Sequence, residues 1–425
     1  MTSFNSGRFV VGAFVWLLTW HATGQAEEPS YLTTGTPIRL LSANDGATVI
    51  QLDENGLFDR TKTISDSITV IDLDRDEPPS VRTVFETVPV TITGPPHMAM
   101  SKDGRLGFVT NHSWQPDDPT CLTTDYSTLP ADRQNVLSVI DLDSPNLTVS
   151  QTIELPPHPW HVRMHPDGQH VIVTCWREFC VYKIVGKELE LARTNPTPFI
   201  QVGFDISPKG DRIIATALSH DYTENDCGKD VDVQVYLFSV DGDRIEFLHQ
   251  VKMSPKLGSI DGPFAPRFSP DGKRVLFMNG AGVPNKGVLD AVLSIDMTLE
   301  QPAVTEAIPQ VADGLESLAI HPDGDMAVVT CLGNTANYNA TQAFSRLAII
   351  DLKSKPMRML AQIPVEAGPQ GIEFSPTGDK LFVGCAFAHH VAVYDVEGFR
   401  LIRSPYILPT GHGHASLAIG PQPNE

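Results

Sequence analysis

A word of one design recurs along this chain and leaves few folds open to it. "HMAMSKDGRLGFVTN" (97–111), "HVRMHPDGQHVIVTC" (161–175), "GFDISPKGDRIIATA" (203–217), "APRFSPDGKRVLFMN" (265–279), "SLAIHPDGDMAVVTC" (317–331) and "GIEFSPTGDKLFVGC" (371–385) each read as a short strand, a tight turn and a second strand. The turn residues are Pro, Asp and Gly, which preset or tolerate the dihedrals that a reversal needs, so each word is a β-hairpin. The turn glycines Gly104, Gly168, Gly210, Gly272, Gly324 and Gly378 lie 42 to 64 residues apart. Two more strand-like runs follow each word, such as "SRLAIIDLKSK" and "PMRMLAQIPV" after the fifth. Four antiparallel strands at that period make a propeller blade, so the chain is all-β.

The ends of the chain supply the last blade. "HASLAIGP" (414–421) is a seventh first strand without its partners, while "PIRLLSAND" (37–45), "SITVIDLD" (67–74) and "SVRTVFETVPV" (80–90) read as strands lacking a first. Pairing them closes a ring of seven four-stranded blades and removes two sheet edges that would otherwise invite aggregation.

The stretch before them reads differently. "MTSFNSGRFVVGAFVWLLTWHATGQAEE" opens with a polar start carrying Arg8, then an apolar run from Phe9 to Trp20, then small residues before Glu27. This is the pattern of a secretory signal, too short to span a bilayer. The reading is a leader over 1–26, removed on export to a secreted or periplasmic location, and a single propeller domain over 27–425. No later stretch is long and apolar enough for a membrane helix. The formal charge of −20, with no Lys/Arg run, repels polyanions and excludes nucleic acid as a partner. A monomer is expected.

The words "GFVTN", "VIVTC" and "SPDGKRVLFMN" resemble the YVTN-type seven-bladed propellers, a group that includes lactonase-like proteins and quinoprotein amine dehydrogenase heavy chains. The resemblance spans nearly all of the chain after the leader. It implies the architecture; for activity it implies a set of alternatives, because such rings serve hydrolases, lyases, oxidoreductases and pure binding modules. No catalytic motif of the group transfers residue by residue.

Candidate functional residues come from sorting side chains on the expected ring. Call the strands of a blade A to D from the axis outward. Every D-to-A and B-to-C connection then falls on one face, here the upper face. His97, His158, His161, His412 and His414 stand at the starts of A strands, and His112, His220, His389 and His390 just after B strands, so all nine belong to that face. The A strands themselves alternate. One phase is apolar (Met98, Val162, Leu318, Leu417) and is expected to pack between blades; the other mixes small residues with Arg163, Asp205, Arg267 and Glu373 and is expected to line a wet axial channel.

Three functions compete on these residues. The HxxH, HH and HxH spacings suit imidazole ligands, with His97, His161, His412 and His414 as the metal set and copper or zinc as the metal. Calcium is the third candidate ion, through Asp117, Asp118, Asp221, Glu224 and Asp226 in the long B-to-C loops. Without a metal, His161, Arg163, Arg267 and Glu373 would serve acid/base chemistry and hold an anionic substrate or developing oxyanion. The leading expectation is a module binding a small molecule or extracellular protein at the upper face, with a lactonase-like hydrolase or lyase, or a metal- or quinone-linked oxidoreductase, as alternatives. Export favours a disulfide between Cys175 and Cys180, Cys121 and Cys227 are a candidate loop pair, and Cys331 and Cys385 are expected free and buried.

Overall fold

A computed structural model describes residues 31–46, 64–90, 97–111, 135–156, 159–175, 177–218, 233–252, 263–279, 289–333 and 345–423. They form seven four-stranded antiparallel sheets. The A strands of blades 1 to 7 are Met98–Met100, Val162–Met164, Ile200–Ile206, Pro263–Phe268, Leu315–Ile320, Pro369–Phe374 and His414–Pro421. Blade 7 is the closure: His414–Pro421 pairs with Ile38–Asn44, followed outward by Ser67–Leu73 and Ser80–Phe85. Residues 1–30, with the stretch read as a leader, and most of the three long upper loops lie outside the described residues, and with them His112, His158, His220, Cys121, Cys227 and the calcium-candidate acids. No helix among the described residues is long and apolar enough to cross a membrane.

The core is divided among the blade interfaces. Seven apolar clusters each join one blade to the next, from Leu41, Val70, Met98 and Val109 between blades 7 and 1 to Leu40, Ile71, Phe382 and Leu417 between blades 6 and 7. This corrects the expected division of labour along the A strands. Met98 and Met100 face blade 7 while Ala99 faces blade 2; Leu318 faces blade 4 while Ala319 faces blade 6. A radial sheet meets a neighbour on both faces, so both phases pack between blades. The small phase faces forward around the ring, which brings seven inner strands close to one axis.

The difference between "HPDG" and "SPDG" words also acquires a physical reason. On the lower face, the His165 ring reaches the Gly210 carbonyl of blade 3 at 2.9 Å, and His321 reaches the Gly378 carbonyl of blade 6 at 3.0 Å. Where serine stands instead, as at Ser101 or Ser269, its hydroxyl bonds within its own turn. These histidines are latches between blades.

Candidate functional site at the propeller axis

The common pairing of A with B strands sets the axial residues in register. Ala99, Arg163, Asp205, Arg267, Ala319 and Glu373 each pair with the B-strand residue four positions beyond its own turn glycine. They form one ring, with Ala418 of blade 7. Two residues up each strand, about 6.7 Å, lie His97, His161, Gly203, Ser317, Gly371 and Ser416.

The lower ring is an ion network. Arg163 Nε stands 3.4 Å from Asp205 Oδ1, and Asp205 Oδ2 accepts from the Phe268 backbone N–H at 2.8 Å. Arg267 Nη2 reaches Glu373 Oε1 at 2.8 Å, from blade 4 to blade 6, past blade 5 where Ala319 leaves room. Burial pushes the Arg163 guanidinium down, and Arg267 adds to this, while Asp205 and Glu373 draw it back; the result is about 10, so Arg163 is cationic at neutral pH. Two cations and two anions balance, but the hydrogen bonding does not. Arg163 Nε and Nη2, Arg267 Nε, and the hydroxyls of Ser317 and Ser416 above them are buried and have no hydrogen-bond partner among the described residues. Buried donors of this kind demand acceptors.

The histidines divide into separate groups. His97 and His161 are both buried, with rings edge to face at 6.0 Å. The Phe204 backbone N–H donates to His161 Nδ1 at 3.3 Å, so a neutral His161 carries its proton on Nε2 and acts as a donor there. His412 instead lies against His389, with ring centroids 4.0 Å apart. His414 turns away from the axis altogether. Its Nδ1 meets the Ser42 hydroxyl at 2.8 Å, and its ring fills the space left by Gly384 and Gly371 of blade 6. The four histidines read as one metal set are therefore not a single ligand cluster: among the described residues the groups of three or more candidate ligands in mutual reach are His165, Asp167, His170 and Glu366, Cys385, His390.

The cause is a β-bulge where Ala43 pairs with Ser416 but Asn44 with His414. One extra residue flips the side-chain phase, and the ring moves to the opposite face of the sheet. A Cβ at Gly384 would overlap His414 Nε2. Gly384→Ala is accordingly expected to destabilise the fold by about 1–3 kcal/mol through overpacking, read as a lowered urea midpoint, and His414→Ala in the same chain should restore most of the loss.

One buried acid escaped the sequence reading. Glu316, at the bulged start of strand A in blade 5, is 5% exposed, and burial raises its carboxyl to about 7 against the opposing hydrogen bond from Gln370. The signal was a lone acid between Leu315 and the apolar run of "SLAI".

All four described cysteines are free and buried. Cys331 and Cys385 are buried thiols, as expected. Cys175 and Cys180 are also thiols, their sulfurs 4.0 Å apart, so the expected disulfide is not formed. Register explains it: Cys175 pairs with Glu178 and Cys180 with Val173, a diagonal relation rather than a direct cross-strand pair.

No family model and no curated protein sequence matches the chain. Solved structures do. A Bacteroides fragilis protein provisionally named a 6-phosphogluconolactonase aligns at a TM-score of 0.61 and 12% identity, over 91% of this chain and 99% of its own. The periplasmic gluconolactonase of Pseudomonas aeruginosa aligns at 0.58 and 15% identity, over 90% and 99%. Hydrazine synthase of Kuenenia stuttgartiensis aligns at 0.54 and 18%, over 78% and 91%. The protein is a seven-bladed propeller resembling lactonase-like structures in fold.

Proposed function

We propose that this protein binds a small oxygen-rich anion, of the aldonic acid or sugar lactone class, in the axial channel. The observation that carries the reading is Arg163: its Nε and Nη2 are buried and make no hydrogen bond among the described residues, Asp205 facing Nε only at 3.4 Å, and it lies one level below the hydroxyls of Ser317 and Ser416, which likewise find no partner among the described residues. A carboxylate takes the guanidinium edge, and hydroxyl or ring oxygens take the hydroxyls above. Charge-assisted bonds of this kind contribute roughly 1.5–3 kcal/mol each. Titration calorimetry with gluconate, with the neutral polyol glucitol as control, tests it. Binding of gluconate alone is expected, and Arg163→Met should weaken it by about ten- to a hundredfold. Folded wild-type protein that takes up no aldonate or lactone at millimolar concentration would count against the reading.

A second reading, lactone opening at the same place, draws on the fold likeness to a gluconolactonase and on the pairing of donors with a carboxylate in one ring. In it Arg163 and the Nε2–H of His161 polarise the carbonyl, and Glu373, held by Arg267, is the general base. Proton release from a gluconolactone solution measures this directly, and Glu373→Gln should abolish a rate that Arg163→Met only lowers. The leader over 1–26 supports action outside the cytoplasm; a mature chain beginning at Glu27 on N-terminal sequencing is the expected result.

A further inference from the structure

The upper rim of blade 6 carries a second constellation, independent of the axis. Cys385 closes strand B, Lys380–Cys385, and His390 opens strand C, His390–Glu397; the two pair directly across the ladder. Glu366, in the connection that leads into strand A of the same blade, completes the group. One ligand atom from each, the Cys385 sulfur, an imidazole nitrogen and a carboxylate oxygen, lie within 4.8 Å of one another.

The hydrogen bonding at this cluster has a specific gap. His390 Nδ1 lies 2.9 Å from the Ala388 carbonyl, which accepts from it, so Nδ1 holds the proton and Nε2 of the neutral ring presents a lone pair. That Nε2 is buried, meets no hydrogen-bond geometry among the described residues, and stands 3.5 Å from Glu366 Oε1. With the ring neutral, two acceptors thus face each other. Their separation is long for a hydrogen bond but close to the edge of a tetrahedral zinc site, about 3.4 Å for nitrogen and oxygen ligands. Glu366 is itself held in place, because Arg403 Nη2 donates to Oε1 at 2.6 Å while Arg403 Nη1 donates to the carbonyls of Val393, Ser404 and Tyr406. The other three-ligand group offers no such gap: His165 and His170 bond to the Gly210 carbonyl, to Asp167 and within their own turn.

We infer that Cys385, His390 and Glu366 form a binding site for a divalent cation of the zinc class, with an open fourth position. Sulfur, nitrogen and oxygen donors together select a borderline-soft ion over calcium or magnesium. Binding converts the Cys385 thiol to a metal thiolate and releases one proton to solvent. The ligand is the thiolate, so the proton leaves as the cation arrives. Arg403 acts as a positioning residue for Glu366. The site shares no residue with the axial pocket, so its test stands apart from the proposed ligand.

Cobalt(II) titrated into the tag-free mature chain is the probe. One equivalent should produce a thiolate-to-cobalt charge-transfer band in the near ultraviolet, release one proton, and be displaced by zinc. Cys385→Ser should abolish the band. Since Cys385 is core-buried, His390→Gln and Glu366→Gln, at partly exposed positions, serve as folded controls and should each weaken cobalt binding at least tenfold. Absence of the band in folded wild-type protein overturns the site, as does a band that survives in both Cys385→Ser and His390→Gln.

Discussion

Asp205→Ala is expected to lower the unfolding free energy by about 3–5 kcal/mol, the usual result of removing one member of a buried ion pair. Asp205 has two tasks: it faces Arg163 at 3.4 Å and accepts from the Phe268 backbone N–H at 2.8 Å. The alanine variant leaves Arg163, already short of acceptors, with less compensation, and strands a backbone donor. Asp205→Asn separates the tasks, because the amide oxygen keeps the Phe268 bond and loses only the charge. A double replacement, Arg163→Met with Asp205→Asn, should recover much of the loss, since an apolar isostere leaves no buried charge to compensate. Urea unfolding of the four proteins measures all of this, and a single Asp205→Ala variant as stable as wild type would show that the axial ring is solvated rather than paired.

The second large effect is a dependence on pH that runs in two directions. Glu316 has its carboxyl raised to about 7 in the fold, against about 4.3 in the unfolded chain. Above the unfolded value the unfolded chain releases its proton more readily, so stability falls as pH rises through this window, by about 4 kcal/mol in all. Glu316→Gln keeps the hydrogen-bonding shape without the charge. It should therefore stabilise the protein by about 4 kcal/mol at pH 8 and by almost nothing at pH 4. His414 works in the opposite sense. Burial depresses it to about 3, so the unfolded chain binds the proton first and stability is lost as pH falls below about 6.5. The two slopes offset each other between roughly pH 4.5 and 6.5. A broad stability plateau there, becoming a continuous decline with rising pH in a His414→Gln variant, is the expected calorimetric result.

The contrast between these residues explains what was readable in advance. Arg163, Asp205, Arg267 and Glu373 were found from sequence because they sit where strand A follows a strict period of two, and period fixes the face. His414 lies across a bulge, and its side chain went to the other face for the sake of one residue. The Cys175–Cys180 pair was misjudged for a similar reason, since spacing in sequence says that two strands meet but not whether two residues stand opposite or diagonal. Glu316 was passed over because a single acid beside an apolar run carries no periodicity. The sequence placed the upper-face histidines by strand position, yet which of them meet depends on which way each imidazole turns.

By itself the sequence determined the number of blades, the four-strand unit and the closure by His414–Pro421, because turn glycines and alternating strands are local properties repeated often enough to be counted. Which partner each axial charge meets, which histidines touch, and the convergence of Glu366, Cys385 and His390 on one rim were decided only in three dimensions. They depend on register, on bulges and on the identity of the neighbouring blade, and those are settled by packing between segments that are far apart along the chain.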